Sequence, residues 1–326
     1  MHAARPLRTL AWLATTGVLL TAPAAWAAHA FITVGTSDVT GIFYQAGGDV
    51  CHLVNADRTE NQMRCAVSST SGSIANIEAL RHGKRAFGFA HGDIVEQAFD
   101  GTGAFEKEGA FKGLRVVFAL NPGTVTLVAR DGSGIDRLQD LRGKRVNIGP
   151  QGSGQRASVQ SLMNAMGWTP DDFANASTLA AAAQAQALCD GRLDAAVFVT
   201  AHPDNAVMQA LSCGARLIPI QGPAIDRLVR SNKFYSSNVI PGGTYAGQSD
   251  DVPTYGVSSL LLSSTNTARG VVYQVTKAVF DHIDAFRKWN PALQSLKPAG
   301  MARGTQAVKA PLHPGASMYY QDNDLL

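Results

Sequence analysis

Hydrophobic positions along this chain fall in short runs separated by polar turns, and the runs alternate between strand-like and helix-like spacing. Residues 31–35 have strand length, 43–55 a helical pattern, and 64–68 strand length again. A helix follows at 73–82, with Ile74, Ile77 and Leu80 as its apolar stripe. Then come a strand at 86–90, a helix at 93–99 and a strand at 114–120. This βαβαβ order predicts a parallel sheet with covering helices. A second series begins near Thr124, with strands at 125–129, 145–149, 195–199 and 216–220. Its helices are a short one at 135–141 closed by Gly143, then 155–166, an Ala-rich one at 180–189 closed by Gly191, and 203–211. A Pro/Gly-rich stretch at 240–244 breaks the rhythm. Beyond it, 255–262 reads as one long apolar strand and 267–289 as one long helix. The rest, with Pro291, Pro298, Pro311 and Pro314, reads as a helix and a trailing arm.

Two α/β lobes are therefore expected. Asn121-Pro122 is one crossover between them, and residues 251–259 are the return. Lobe I comprises 28–121 with 256–326, lobe II comprises 122–255, and the C-terminal helices pack on lobe I. Ligands of open parallel sheets bind at the C-terminal ends of strands. Two such edges facing each other across two crossovers form a hinged cleft.

The first residues change the picture of where the chain works. Arg5 and Arg8 precede an apolar run at 10–20, followed by Ala25-Trp26-Ala27 and Ala28-His29-Ala30. This is the pattern of a cleaved signal peptide over 1–27, with the cut between Ala27 and Ala30. The formal charge of +3 drops by the two leader arginines to about +1. A nearly neutral chain of roughly 300 residues without a basic run argues against a nucleic-acid partner. The four cysteines fit an oxidising compartment. Spacing favours Cys51 with Cys65 and Cys189 with Cys213, each closing a short loop. The alternatives are cross-lobe bridges that would lock the hinge, or a metal site, which lacks any CxxC or HxxxH spacing. No metal and no cofactor is expected, and the chain is expected to act as a monomer.

The candidate chemistry lies in strand-to-helix loops. Gly152-Ser-Gly-Gln-Arg156 follows the strand at 145–149, and its backbone N–H groups at a helix start suit an anion. It lacks the Lys and Ser/Thr of a P-loop and is not GxGxxG, so a small anion is favoured over a nucleotide. Arg156 would clamp a carboxylate, or would make a surface ion pair. Ser69-Thr-Ser-Gly-Ser73 has more small polar residues than a helix cap needs, so Ser69, Thr70, Ser71 and Gly72 are ligand candidates. Thr36 and Tyr44, in the turn after the first strand, would orient the ligand. His91 and Asp93 end the third strand, with Asp93 read chiefly as a helix cap. His202 before Pro203 starts a helix, with Pro203 at its first position. There is no GxSxG elbow, no HExxH and no acid/base carboxylate pair, so a binding role is favoured over catalysis.

Taken in order and spacing, these blocks resemble the TAXI-type solute receptors of TRAP (tripartite ATP-independent periplasmic) transporters. The resemblance runs from Phe31 to near Trp289. It rests on Ile32-Thr-Val-Gly-Thr36 with Thr40-Gly-Ile-Phe-Tyr44 and Gly47-Gly48, and on Cys65-Ala-Val-Ser-Ser-Thr-Ser-Gly-Ser73 with Asn76 and Leu80-Arg81. It rests further on Leu141-Arg-Gly-Lys-Arg-Val-Asn-Ile-Gly149 with Gly152-Ser-Gly-Gln-Arg156, and on Cys189-Asp-Gly-Arg-Leu-Asp-Ala-Ala-Val-Phe198 with His202-Pro203. It departs from the family at His91-Gly-Asp93, where many members read Gln-Ser-Asp, and at Ala201, where Gly is frequent.

The resemblance implies a type II periplasmic-binding-protein fold and the same two disulfides. It also implies delivery of a small acidic metabolite, of the glutamate, 2-oxoglutarate or dicarboxylate type, to an ion-gradient-driven permease. In that reading the loops at 69–73 and 152–155 hold a carboxylate, with Gly152, Ser153, Gly154 and Gln155 contributing backbone. The rivals are a receptor of an ATP-driven importer, an enzyme on the same two-lobed fold, and an adhesive surface role.

Overall fold

The structure is a computed structural model that describes Met1 and residues 30–326. Residues 2–27 of the leader read from the sequence lie outside the described residues.

Apolar strands of five or six residues build the first sheet. They are β1 (Ala30–Gly35), β2 (Met63–Ser68), β3 (Phe87–His91) and β4 (Leu114–Ala119). The second sheet starts with β5 (Gly123–Arg130), β6 (Arg145–Asn147), β7 (Asn175–Ser177), β8 (Ala195–Thr200) and β9 (Ala215–Ile218). It ends with β10 (Tyr235–Ile240) and β11 (Val252–Val257), after which β12 (Ser259–Ser264) returns to the first. The first sheet has the order β2-β1-β3-β12-β4. The second runs β10-β11-β5-β8-β6-β7, with β9 on β5.

The helices are α1 (Ile42–Ala56), α2 (Arg58–Asn61), α3 (Ser73–Arg81), α4 (Gly92–Asp100), α5 (Gly154–Met166) and α6 (Ala181–Cys189). They continue with α7 (Asn205–Ser212), α8 (Pro223–Ser231), α9 (Arg269–Asp281), α10 (Ile283–Trp289), α11 (Pro298–Arg303) and α12 (Pro314–Asp322). Each sheet is packed on both faces. Phe87, Phe89 and Val117 meet α1 and α9 on one face of the first sheet, while Ile77, Ala90 and Ile94 fill the other. Among the described residues no helix is long and apolar enough to cross a membrane.

The sheets are not purely parallel, contrary to the sequence expectation. β1, β2 and β3 are parallel, but β12 is antiparallel to both β3 and β4. β5 is likewise antiparallel to β8, β9 and β11. The cause is the pair of crossovers. β4 runs on into β5 after three residues, and β11 into β12 after Ser258 alone, so each chain enters the next sheet against its neighbours.

The apolar stretch 255–262 is therefore two strands in two sheets rather than one. The helix expected over 267–289 breaks at His282 (φ −109°, ψ 30°) into α9 and α10. The helix expected at 135–141 is only a 3-10 turn at Leu138–Leu141. Two further elements carried little apolar signal. α8 buries Ile225 alone, and β10 is an edge strand whose Ser236 and Ser237 face solvent.

Both disulfides form between near neighbours: Cys51 with Cys65, and Cys189 with Cys213, with Cα atoms 4.9 and 5.4 Å apart.

Candidate functional site

The strand ends of the two sheets face each other across a cavity of about 250 Å³, lined from the first sheet's side by Ser37, Asp38, Thr40–Phe43, Thr70–Ser73 and His91. From the second it is lined by Pro150, Ser153–Gln155, Ala180, Ala181, Phe198–Thr200 and Asp204. Its size suits a small solute.

What holds the first wall is a buried amide. Asn76 Nδ2 donates to Thr36 O (2.6 Å) and Phe89 O (2.8 Å), and its Oδ1 lies 2.9 Å from Thr70 Oγ1. One side chain thus ties the ends of β1 and β3 to the loop after β2. It reaches them because Gly35 and Gly88 have no side chain; a Cβ there would sit 2.4 and 2.9 Å from atoms of Asn76. Thr70 Oγ1 also accepts from Gly72 N (3.0 Å), which bends the loop into α3.

Helix N-termini converge on this space. α1, α3 and α6 begin at Gly41, Gly72 and Ala180 with no side-chain cap, so their first-turn N–H groups stay available. α5 begins at Ser153, whose Oγ accepts from Arg156 N (3.1 Å) and donates to Pro150 O (2.7 Å). α7 begins at Asp204, whose Oδ1 accepts from Ala206 and Val207 N–H. Each N-terminus carries roughly half a positive charge.

The charged side chains of the cavity are acidic. Asp38 and Asp204 line it, from opposite walls, and among its lining residues there is no Lys or Arg. Burial, with a smaller contribution from Asp38, raises the Asp204 carboxyl above its usual range. Burial pulls His91 down to about 4, so this ring is neutral at pH 7. It lies tilted beside Phe43, with ring centroids 4.8 Å apart.

Of the sequence candidates, Thr70, Ser71, Gly72, His91, Ser153, Gly154 and Gln155 come together on this cavity. Others lie elsewhere. Thr36 is fully buried and spends its hydroxyl on Ser68 O (2.9 Å). Ser69 donates to Ser37 O (2.9 Å), and Tyr44 is not on the lining. Gly152 and Arg156 line a separate cavity of about 310 Å³ with Gln97 and Asn164.

His202 is half-buried on the second sheet's side. Its Nδ1 is 2.6 Å from Tyr245 Oη and its Nε2 2.8 Å from Thr126 Oγ1. Since Asp204 N donates to that phenol (2.9 Å), Tyr245 is assigned as donor to His202. Pro203 does not open the next helix: the peptide before it is cis, and α7 starts after Asp204. Nor is Asp93 a cap, because His91 is the N-cap of α4 and the Asp93 carboxylate reaches toward the other lobe.

Sequence reasoning passed over Asp38, Asp204 and, as a wall residue, Asn76. Asp204 two residues after His202, ahead of the apolar positions Ala206, Val207 and Ala210, was a readable N-cap signal.

Two α/β lobes with a cleft between strand ends define a periplasmic-binding-protein-like fold. The family model described as "NMT1-like family" matches residues 34–323, and the chain belongs to that family. Among solved structures the fold is similar to PhnD1 from Prochlorococcus marinus in complex with methylphosphonate: 10% identity, 91% of this chain and 99% of that one, TM-score 0.54. It is similar also to a binding protein component of an ABC phosphonate transporter from Pseudomonas aeruginosa: 14% identity, 82% of this chain and 80% of that one, TM-score 0.52.

Proposed function

We propose that this protein is a periplasmic solute receptor. It captures a small carboxylate by closure of its two lobes and passes it to a membrane permease. The observation that carries this reading is the convergence of uncapped N-termini of α1, α3 and α6 on one small cavity between the lobes. They hold a carboxylate by backbone N–H groups and dipoles, so the site needs no arginine. Asp38 and Asp204 disfavour a second carboxylate on the same solute. An amino acid, whose ammonium offsets that field, therefore suits the cavity better than a dicarboxylate. Thr70, Ser73 and Asp204 on the cavity are engaged in structural hydrogen bonds, which supports binding over catalysis.

The TRAP assignment of the permease rests on the motif blocks named above. A second reading, an ATP-driven importer, is favoured by the named function of the Pseudomonas aeruginosa relative.

A thermal-shift panel on unfolded and refolded protein tests the solute class. Amino acids, 2-oxoglutarate, dicarboxylates, monocarboxylates, methylphosphonate and an alkanesulfonate would be compared. Stabilisation by an amino acid at micromolar concentration is expected. Stabilisation by a phosphonate or sulfonate alone would replace the carboxylate assignment, and a flat response to all would refute the receptor reading.

A further inference from the structure

Behind the cleft wall, two residues beyond His91, lies an acid that the cavity does not use. Asp93 on α4 is 3% exposed. Its Oδ2 accepts from Ser158 Oγ (2.8 Å) on α5 and from Tyr235 Oη (3.4 Å) on β10, both in the other lobe. Its Oδ1 accepts from Ile94 N (2.9 Å). Tyr255 of β11 is buried nearby, and its hydroxyl finds no partner among the described residues. The helix carrying Asp93 sits against the return crossover, since Gly92 N donates to Ser258 O (2.8 Å).

A carboxylate is an unusual choice for this place. The groups facing it are hydroxyls: Ser158 from α5, Tyr235 from β10 and Tyr255 from β11. On its own helix Glu96 is engaged with Lys309, and His91, which ends β3 just before that helix, is neutral above pH 5. Among the described residues no cation faces Asp93. A serine or asparagine would bridge the lobes without the cost of burying a charge.

We infer that Asp93 is a positioning residue that ties lobe closure to proton binding: the junction around it parts when the lobes open, and the protonated acid favours the closed form. The inference rests on the proposed reading of a two-lobed receptor that opens and closes. Burial pushes the Asp93 carboxyl up to about 6, against hydrogen bonds from Ser158, Ile94 and Tyr235 that lower it. In an opened junction water restores the ordinary value near 4. The closed form therefore binds the proton more tightly. Closure is favoured as pH falls through about 6 and opposed as it rises, by at most on the order of a hundredfold for two pH units of difference.

Small-angle X-ray scattering on the purified protein without solute, from pH 5 to 8, reads this out independently of the ligand's identity. The wild type is expected to be more compact at pH 5 than at pH 8. Asp93→Asn, which mimics the protonated acid, should stay compact throughout. Ser158→Ala removes a donor to the carboxylate and should move the wild-type transition to higher pH, which keeps the test open if the asparagine variant folds poorly. A pH response that survives unchanged in Asp93→Asn and in Ser158→Ala overturns the role of Asp93 and leaves the hinge intact. Compaction by a solute of the thermal-shift panel with no pH response does the same. A radius that answers neither pH nor any solute of that panel overturns both this inference and the hinged-receptor reading.

Discussion

Gly154 at the start of α5 is seated directly against Ser73 at the start of α3: a Cβ on Gly154 would fall 2.3 Å from Ser73 Oγ and 3.0 Å from His91 Cδ2. Gly72, the residue before Ser73, would bring a Cβ within 3.5 Å of Gly154 N. The two lobes thus meet, helix start against helix start, where neither has a side chain to spare. Ser73 Oγ is itself fixed, accepting from His91 N (3.2 Å), so it cannot swing clear without breaking that bond.

Gly154→Ala is therefore expected to wedge the lobes apart. Gly154 does not adopt a left-handed φ, so alanine is compatible with its backbone. Solute affinity should fall by about tenfold or more, near 1.4 kcal/mol, while the melting temperature without solute stays within a few degrees of wild type. Calorimetric titration beside a thermal melt separates the two effects. Equal affinity in the variant would mean that this contact is not part of closure.

Arg156→Ala should leave the affinity for the captured solute within about twofold of wild type, well under the scale of a lost charge-assisted hydrogen bond. The side chain lines a different cavity from that of Asp38 and Asp204. A loss of a hundredfold by the same titration would put the guanidinium back in contact with the solute.

Arg156 also illustrates how far the sequence could be read. Strands, helices and loops of the first lobe were legible because each apolar run is long enough to have a period. The Gly/Ser loops were legible because small polar residues at a strand-to-helix junction have few other uses. The direction in which Arg156 points was not. Ser153 caps α5 through Arg156 N, which fixes the backbone, and Arg156 then lines the neighbouring cavity with Gln97 and Asn164 rather than the one lined by Asp38 and Asp204. Spacing along a loop does not reveal that turn. Asp93 escaped for a related reason. A short acid after a strand reads as a local cap, whereas its partners Ser158 and Tyr235 are 65 and 142 residues away. The split of 255–262 was hidden because both halves are buried and equally apolar.

Asn76→Ala should destabilise the first lobe by about 2–4 kcal/mol. It leaves Thr36 O without this amide and removes the donor to Phe89 O, both buried. Urea denaturation measures the loss. A change below about 0.5 kcal/mol would mean that water replaces the amide and that the tie between β1 and β3 is dispensable.

The link between Asp194 and Arg145 gives stability a defined dependence on pH. Asp194 Oδ2 accepts from Arg145 N and Nε (both 3.0 Å), its Oδ1 from Arg145 Nη2 (2.6 Å), and Arg130 Nη2 lies 3.3 Å away. These contacts, led by the Arg145 side chain, hold the Asp194 carboxyl far below the usual range. A depressed folded-state value contributes stability that is present above the unfolded value near 4 and is lost as pH falls below it. Arg145 is partly exposed, so solvent screens the effect. Asp194→Asn should therefore lower the melting temperature at pH 7 and make progressively less difference as pH falls below about 4. Thermal melts of both proteins across pH 3 to 7 check this. A gap between the two that is constant over the whole range would show that the aspartate acts through its shape and neutral hydrogen bonds, and that its charge contributes nothing.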